Sequence, residues 1–183
     1  MIKILFNTLK LLRPRQWIKN VAVFAAIVFS GELFDLGSLQ KALIAFVVFC
    51  VLSSAIYIIN DIFDMKKDRL HPFKRFRPLA HQDLNVPYAI VVSILLIIIS
   101  LALSLIITPA FFGLSVVYLL IQLYYSTVLK SIPVIDILTI ASGYILRVYG
   151  GELAGGFHIS VWLLLTTISL SLFLAVGKRR SEL

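Results

Sequence analysis

Charged residues and cysteine are scarce in this sequence. Only 14% of the 183 residues are charged and one is a cysteine, whereas 60% are hydrophobic. The single cysteine, Cys50, excludes an intrachain disulfide, and we interpret it as a packing residue inside an apolar run. The few charges fall in short groups between long apolar stretches, which a soluble domain does not show. The sequence therefore predicts an integral membrane protein.

Six apolar stretches are long enough to cross a bilayer, which takes about 20 residues as a helix. They predict an all-α, multi-pass transmembrane helical bundle forming a single domain over residues 1–183, with spans at about 17–34, 42–60, 86–107, 110–128, 133–153 and 159–176. Residues 1–12 carry apolar side chains at helical spacing, which favours an interfacial amphipathic helix over a cleaved signal peptide. Residues 60–85 form the longest predicted loop.

The basic residues are distributed asymmetrically. Six spans place the N-terminus, residues 60–85, residues 129–132 and the C-terminal residues on one side, and that side holds 15 of the 17 basic residues. Lys41 and Arg147 are the exceptions, and the opposite loops carry Glu32, Asp35 and Glu152. We call the basic side the basic face. The positive-inside rule predicts that it is cytoplasmic. The net charge of +8 then indicates lipid headgroups rather than nucleic acid.

An acidic motif follows the second predicted span. At 100° per residue, four oxygen-bearing side chains fall on one side of a helix: Asn60, Asp61, Asp64 and Asp68. Carboxylates so close together repel each other unless a cation lies between them. Mg²⁺ suits this pattern because it takes oxygen ligands and commonly combines one or two carboxylates with substrate phosphates. The alternative is a solvated, charged loop without a ligand.

Basic residues follow the acidic motif directly. They suit the phosphate groups of a substrate and are Lys66, Lys67, Arg69, Lys74, Arg75 and Arg77.

Polar residues at the ends of later spans point to the same face. Tyr125 and Lys130 close the fourth span, where tyrosines also serve as interfacial anchors. Asp136 and Arg147 lie inside the fifth span, where a charge requires a partner or a ligand; they are substrate-binding candidates or a structural pair. Lys178 and Arg179 are phosphate-binding candidates or a positive stop signal.

These motifs resemble one known family. Asn60-Asp61-x-x-Asp64-x-x-x-Asp68 is similar to the first aspartate-rich motif of the UbiA superfamily of intramembrane prenyltransferases. Other segments resemble its decaprenyl-phosphate phosphoribosyltransferase branch: Arg13-Pro14-Arg15-Gln16-Trp17-Ile18-Lys19-Asn20, Asp68-Arg69-x-His71-Pro72-x-Lys74-Arg75-x-Arg77-Pro78-Leu79-Ala80, Tyr125-Ser126-x-x-Leu129-Lys130 and Gly177-Lys178-Arg179-Arg180-x-Glu182-Leu183.

The resemblance implies a reaction. A polyprenyl phosphate attacks C1 of 5-phosphoribosyl diphosphate and diphosphate leaves, in the bacterial cytoplasmic membrane, for cell-envelope polysaccharide precursors. By resemblance, Asp61, Asp64 and Asp68 hold Mg²⁺, Asn60 supports them, and an apolar cleft takes the isoprenoid tail. The phosphates would contact Lys19, Lys74, Arg75, Arg77, Lys130, Lys178 and Arg179.

Two departures from the family pattern matter. The resemblance implies nine helices, of which six are present, so the sequence resembles a fragment, a truncated form or a split gene product; an oligomer or a complementing chain is a candidate partner. The family's second aspartate-rich motif is replaced by Lys178-Arg179-Arg180-Ser181-Glu182, which suits the phosphoribosyl branch. The alternatives are a transferase that moves a prenyl group from its diphosphate to an aromatic acceptor and, more distantly, a transporter or channel.

Overall fold

The structure, a computed structural model, describes residues 2–127 and 133–180. Those residues form seven α-helices: α1 (Ile2–Leu12), α2 (Phe24–Ser30), α3 (Leu36–Leu70), α4 (Val86–Ile107), α5 (Pro109–Thr127), α6 (Pro133–Gly155) and α7 (Val161–Arg180). A 3-10 helix over Pro14–Val23 links α1 to α2, and a shorter one over Lys74–Phe76 follows α3. The described residues contain no β-strand.

Helix α1 presents an apolar face to its surroundings. Leu5, Phe6 and Leu9 are each more than half exposed, whereas Leu11 is buried against Ile58 of α3. This division fits a helix that lies along a membrane surface with its other side against the bundle, where Asn7 is also buried.

The first predicted span, 17–34, is not one regular helix. The chain leaves α1 through Arg13, whose φ of 53° lies in the left-handed region, and continues as the 3-10 helix. Asn20 is fully buried there because its side chain contacts Cys50 and Ser53 of α3. Polar contacts of this short segment thus replace a regular apolar span, and α2 adds only seven helical residues.

Helix α3 is much longer than the predicted span 42–60. It has 35 residues, about 52 Å at 1.5 Å per residue, which exceeds the thickness of a bilayer. Its N-terminus is capped by Asp35, whose carboxylate accepts a hydrogen bond from the Ser38 backbone N–H at 2.7 Å. The acidic motif therefore lies on a helix, and the predicted loop 60–85 is shortened to residues 71–85.

Helices α3, α4, α5 and α6 are long and apolar enough to cross a membrane, and the chain is an integral membrane protein. The apolar part of α7, Val161–Gly177, is shorter, so the count of six spans stays a prediction. The core lies between α3, α5 and α6, where Phe49 packs edge-on against Phe111 and Tyr118. Gly151 of α6 lets this helix approach the backbone of Val23 closely.

Candidate active site

A cavity of about 720 Å³ opens where α3 continues beyond the apolar core. Elements far apart in sequence meet there: the 3-10 helix after α1, the C-terminal half of α3, the turn after it, and the facing ends of α5 and α6. Eight of the residues predicted for the site line this one cavity: Lys19, Asn60, Asp64, Asp68, Lys74, Arg77, Tyr125 and Asp136. The structure thus brings together candidates from Lys19 to Asp136, which are far apart in the sequence.

Two of the three motif aspartates are held by arginines. Asp61 is 2% exposed and Asp68 is 4% exposed. The Arg77 guanidinium lies 3.1 Å from a carboxylate oxygen of Asp61 and 2.6 Å from one of Asp68, so it bridges them. Arg13 forms a second ion pair with Asp61. Buried carboxylates are costly without such partners, which explains why both guanidinium groups turn toward α3.

The other two oxygen-bearing side chains of the motif line the cavity. Asn60 and Asp64 are half-buried on its wall beside Asp68. Within residues 2–127 and 133–180, no three acidic, histidine or cysteine side chains converge closely enough to hold an ion by themselves. This arrangement fits Mg²⁺, which completes its shell with water and substrate phosphates rather than requiring a cage of protein ligands.

Basic side chains surround these oxygen atoms. The cavity lining contains five basic residues, Arg13, Lys19, Lys67, Lys74 and Arg77, against three acidic ones, Asp64, Asp68 and Asp136. A polyanion bound with a divalent cation would match this mixture of charges, because the cation meets the carboxylates while the basic groups meet phosphate oxygens.

A hydrogen bond joins α5 to α6 across the cavity wall. The Tyr125 hydroxyl donates to a carboxylate oxygen of Asp136 at 2.7 Å. Asp136 is buried in the first turn of α6, where the helix dipole favours a negative charge. Both residues were predicted for the site, and the structure places them together on its wall.

Arg147 does not line the cavity. It is buried behind the wall, where Nε donates to the Asn20 side chain at 2.7 Å and the two terminal nitrogens donate to Gly143 O and to the Tyr118 hydroxyl. The guanidinium also lies over the rings of Tyr118 and Tyr144. The sequence predicted an anionic partner or ligand for this charge, or a pair with Asp136. In the described structure its partners are instead neutral oxygen atoms and aromatic rings.

The other predicted residues lie elsewhere or outside the described part. Arg75 borders a separate groove with Arg69 and stacks on Phe76. Lys130 lies outside the described residues. Lys178 and Arg179 fall on α7, but their side chains are likewise outside what the structure describes.

Sequence reasoning missed several residues of the lining. Tyr57 lies three and seven residues before Asn60 and Asp64 on α3, and Gln122 lies three before Tyr125 on α5. Helical periodicity places each on the face of a residue that was predicted, and so could have identified them. Arg13 gave no such signal, because its approach to Asp61 depends on a left-handed backbone and on tertiary packing.

Comparisons with known proteins identify relatives of this chain. The UbiA prenyltransferase family matches residues 21–178. The chain is 44% identical to decaprenyl-phosphate phosphoribosyltransferase of Corynebacterium glutamicum over 96% of its own length and 54% of that protein. Against the Mycolicibacterium smegmatis protein of the same name the identity is 42%, over 96% of this chain and 56% of the other. The chain thus spans about half the length of these relatives.

The fold has solved counterparts. A UbiA homolog from Archaeoglobus fulgidus, solved bound to DMAPP and Mg²⁺, superposes with a TM-score of 0.83 at 25% identity, over 94% of this chain and 62% of that one. The predicted all-α bundle of UbiA type is confirmed by this likeness. The family match covers most of the chain, and the chain belongs to the UbiA prenyltransferase family.

Proposed function

We propose that this chain takes part in the Mg²⁺-dependent transfer of a 5-phosphoribosyl group from phosphoribosyl diphosphate to a polyprenyl phosphate. One observation carries the proposal: the oxygen ligands Asn60, Asp64 and Asp68 share a cavity with the basic side chains of Lys19, Lys74 and Arg77. The relatives that are 42–44% identical carry the corresponding name.

The metal would be held by the acidic motif together with the donor. Asp64 and Asp68 would provide carboxylates from the cavity wall and Asn60 an amide oxygen. Asp61, buried in ion pairs with Arg13 and Arg77, would be the third carboxylate of the motif. When bound, the ion neutralises charge on the diphosphate leaving group. The Archaeoglobus fulgidus homolog was solved with Mg²⁺ and, separately, with Cd²⁺, which supports the use of a divalent cation.

The chain's own side chains would bind the diphosphate and stabilise its charge during the reaction. Lys19, Lys74 and Arg77 hold the diphosphate and stabilise the charge that develops on it as it leaves. A phosphate oxygen of the lipid forms a bond to C1 of the ribose while the bond from C1 to the diphosphate breaks. The attacking phosphate is already anionic, so no residue has to act as a strong general base.

The membrane setting follows from the same proposal. The basic face contains the cavity, and the positive-inside rule places that face in the cytoplasm, where phosphoribosyl diphosphate is available in solution. We propose the bacterial cytoplasmic membrane as the location, with the lipid acceptor supplied from the bilayer and the product used for cell-envelope polysaccharide precursors.

A two-substrate assay tests the proposal. Membranes containing the chain receive radiolabelled phosphoribosyl diphosphate and a polyprenyl phosphate, with either Mg²⁺ or EDTA. We expect label to move into the organic phase only with Mg²⁺. A parallel reaction with a labelled prenyl diphosphate and an aromatic acid tests the other reaction of the family. Label in the prenylated ring, with none on the lipid phosphate, would overturn the proposal in favour of that alternative.

A further inference from the structure

The Arg13 guanidinium and the proposed metal ion would compete for the Asp61 carboxylate. Asp61 belongs to the motif that would hold the metal, yet it is buried and already contacts Arg13 and Arg77. We propose that the Arg13 guanidinium is a displaceable counter-ion: it occupies Asp61 before the metal arrives, then moves to the donor's phosphate oxygens. This inference rests on the proposed function, because it presupposes a metal bound through the acidic motif.

The backbone around Arg13 is fixed on both sides by one residue of α3. The Ser54 hydroxyl donates to Leu12 O at 2.8 Å and accepts from the Trp17 indole N–H at 2.9 Å. Arg13 itself has φ 53° and ψ 56°, a left-handed conformation that is strained for a residue with a side chain. Such strain persists only where the surroundings hold it, so any exchange must come from rotation of the side chain.

The guanidinium has a second destination within reach of rotation. Arg13 lines the cavity beside Gln16, Lys19 and Lys74, and its guanidinium lies 5.2 Å from the centroid of the Tyr57 ring, which lines the cavity too. Arginine binds phosphate with the same planar fork that it presents to a carboxylate. A substrate phosphate in the cavity would therefore accept the hydrogen bonds that Arg13 no longer donates to Asp61.

Charge repulsion supplies the driving force for the exchange. A divalent cation near Asp61 would lie close to two guanidinium groups, and like charges so close together destabilise each other. Arg77 also bridges to Asp68, so it has two carboxylates to hold it, whereas Asp61 is the one carboxylate with which Arg13 pairs in the described structure. Arg13 is therefore the cation that leaves first.

A purely structural role for Arg13 predicts the opposite effect on metal affinity. If the ion pair orients Asp61 for the metal, removal of the guanidinium weakens metal binding. If the guanidinium competes with the metal, its removal strengthens binding. The sign of the change in affinity separates the two roles.

The test measures Mn²⁺ binding to the detergent-purified chain by electron paramagnetic resonance, without substrate. We expect Arg13→Gln to bind Mn²⁺ about tenfold more tightly than the natural sequence, which corresponds to a difference of about 1.4 kcal/mol in binding free energy. Arg15→Gln is the matched control, because Arg15 is exposed in the same segment and does not line the cavity; it should bind Mn²⁺ as the natural sequence does. With inorganic diphosphate present, Arg13→Gln should no longer bind Mn²⁺ more tightly than the natural sequence, because Arg13 then binds the diphosphate together with the metal ion.

The outcomes separate this inference from the proposed function. Unchanged or weaker binding in Arg13→Gln, with binding lost in Asp64→Asn, would overturn the exchange and leave the metal site standing. Equal binding in Asp64→Asn and the natural sequence would overturn the metal assignment and the exchange together. If Arg13→Gln does not fold, Arg13→Met takes its place, since it keeps an extended side chain but removes the charge. Its Mn²⁺ affinity should exceed that of the natural sequence, and an equal or lower affinity would overturn the exchange.

Discussion

Asp64 is the motif carboxylate that both lines the cavity and lacks the burial of its two neighbours. We expect Asp64→Asn to lower Mg²⁺-dependent transfer by at least about 100-fold, because the variant keeps the shape but loses a charged metal ligand. Initial rates of label transfer measure the loss, and resistance to carbonate extraction shows that membrane insertion is intact. Asp83→Asn is the control, since Asp83 lies in the loop and contacts Lys3 and His81 away from the cavity. Undiminished transfer in Asp64→Asn would contradict the metal assignment.

Arg147 is a buried cation that connects three elements. It joins α6 to Asn20 of the 3-10 helix and to Tyr118 of α5. We expect Arg147→Met to lower the free energy of unfolding by about 2–4 kcal/mol, because it leaves buried hydrogen-bonding groups without partners. Unfolding in mixed micelles measures the effect. Arg75→Met is the control, because Arg75 is exposed and should change stability by less than about 0.5 kcal/mol. Equal losses in the two variants would show that the network contributes nothing specific.

For individual residues of the site, helical geometry explains which positions the sequence could predict. The spacing alone placed Asn60, Asp61, Asp64 and Asp68 on one side of a helix. All of them except Asp61 line one cavity, whereas Asp61 is buried in ion pairs with two arginines. The ion pair between Arg13 and Asp61 joins residues 48 positions apart and depends on a left-handed residue. No local pattern encodes that contact, so the sequence could name the carboxylates but not their partners.

Helix α6 depends on a close approach that only glycine permits. A Cβ at Gly151 would lie 2.1 Å from Val23 O, a backbone atom that cannot move aside cheaply. We expect Gly151→Ala to lower the free energy of unfolding by about 2 kcal/mol or more through overpacking. Thermal unfolding of the purified chain measures it.

The control for this prediction is another helical glycine. A Cβ at Gly113 of α5 would meet nothing within 4 Å, so Gly113→Ala should leave stability unchanged or raise it by up to about 1 kcal/mol through helix propensity. A stability loss as large in Gly113→Ala as in Gly151→Ala would show that the contact with Val23 is not the cause.

Element boundaries were predictable where apolar content alone decides them. The predicted span 86–107 coincides with α4, which lies between Asn85 and Thr108 and contains no charged residue. The segment 17–34 failed as a regular helix because buried polar contacts of Asn20 and Trp17 compete with helical regularity. Helix α3 exceeded its predicted end because helix propensity continues through charged residues, which hydropathy interprets as a loop.

The whole molecule separates an apolar body from a charged end. Few residues of α4 are buried, as in a lipid-facing helix, and the extension of α3 places the site beyond the apolar core. The asymmetry of charge was visible in the sequence, since it requires only the positions of Lys and Arg relative to the spans. Its consequence is a specific orientation: Phe34 and Phe73 lie at opposite ends of α3 and should face opposite sides of the membrane.

Single cysteines at those two positions test the orientation. Phe34 is 92% exposed and Phe73 is 81% exposed, so either side chain can be replaced without disturbing the core. The natural Cys50 is buried and is replaced by alanine in both variants. In intact spheroplasts, a membrane-impermeant maleimide should label Phe34→Cys but not Phe73→Cys, because the positive-inside rule places the basic face in the cytoplasm. Lysis should then expose Phe73→Cys to the reagent. The reverse pattern would place the cavity outside the cytoplasm, away from a soluble phosphoribosyl diphosphate donor, and the proposed reaction would lose its substrate supply.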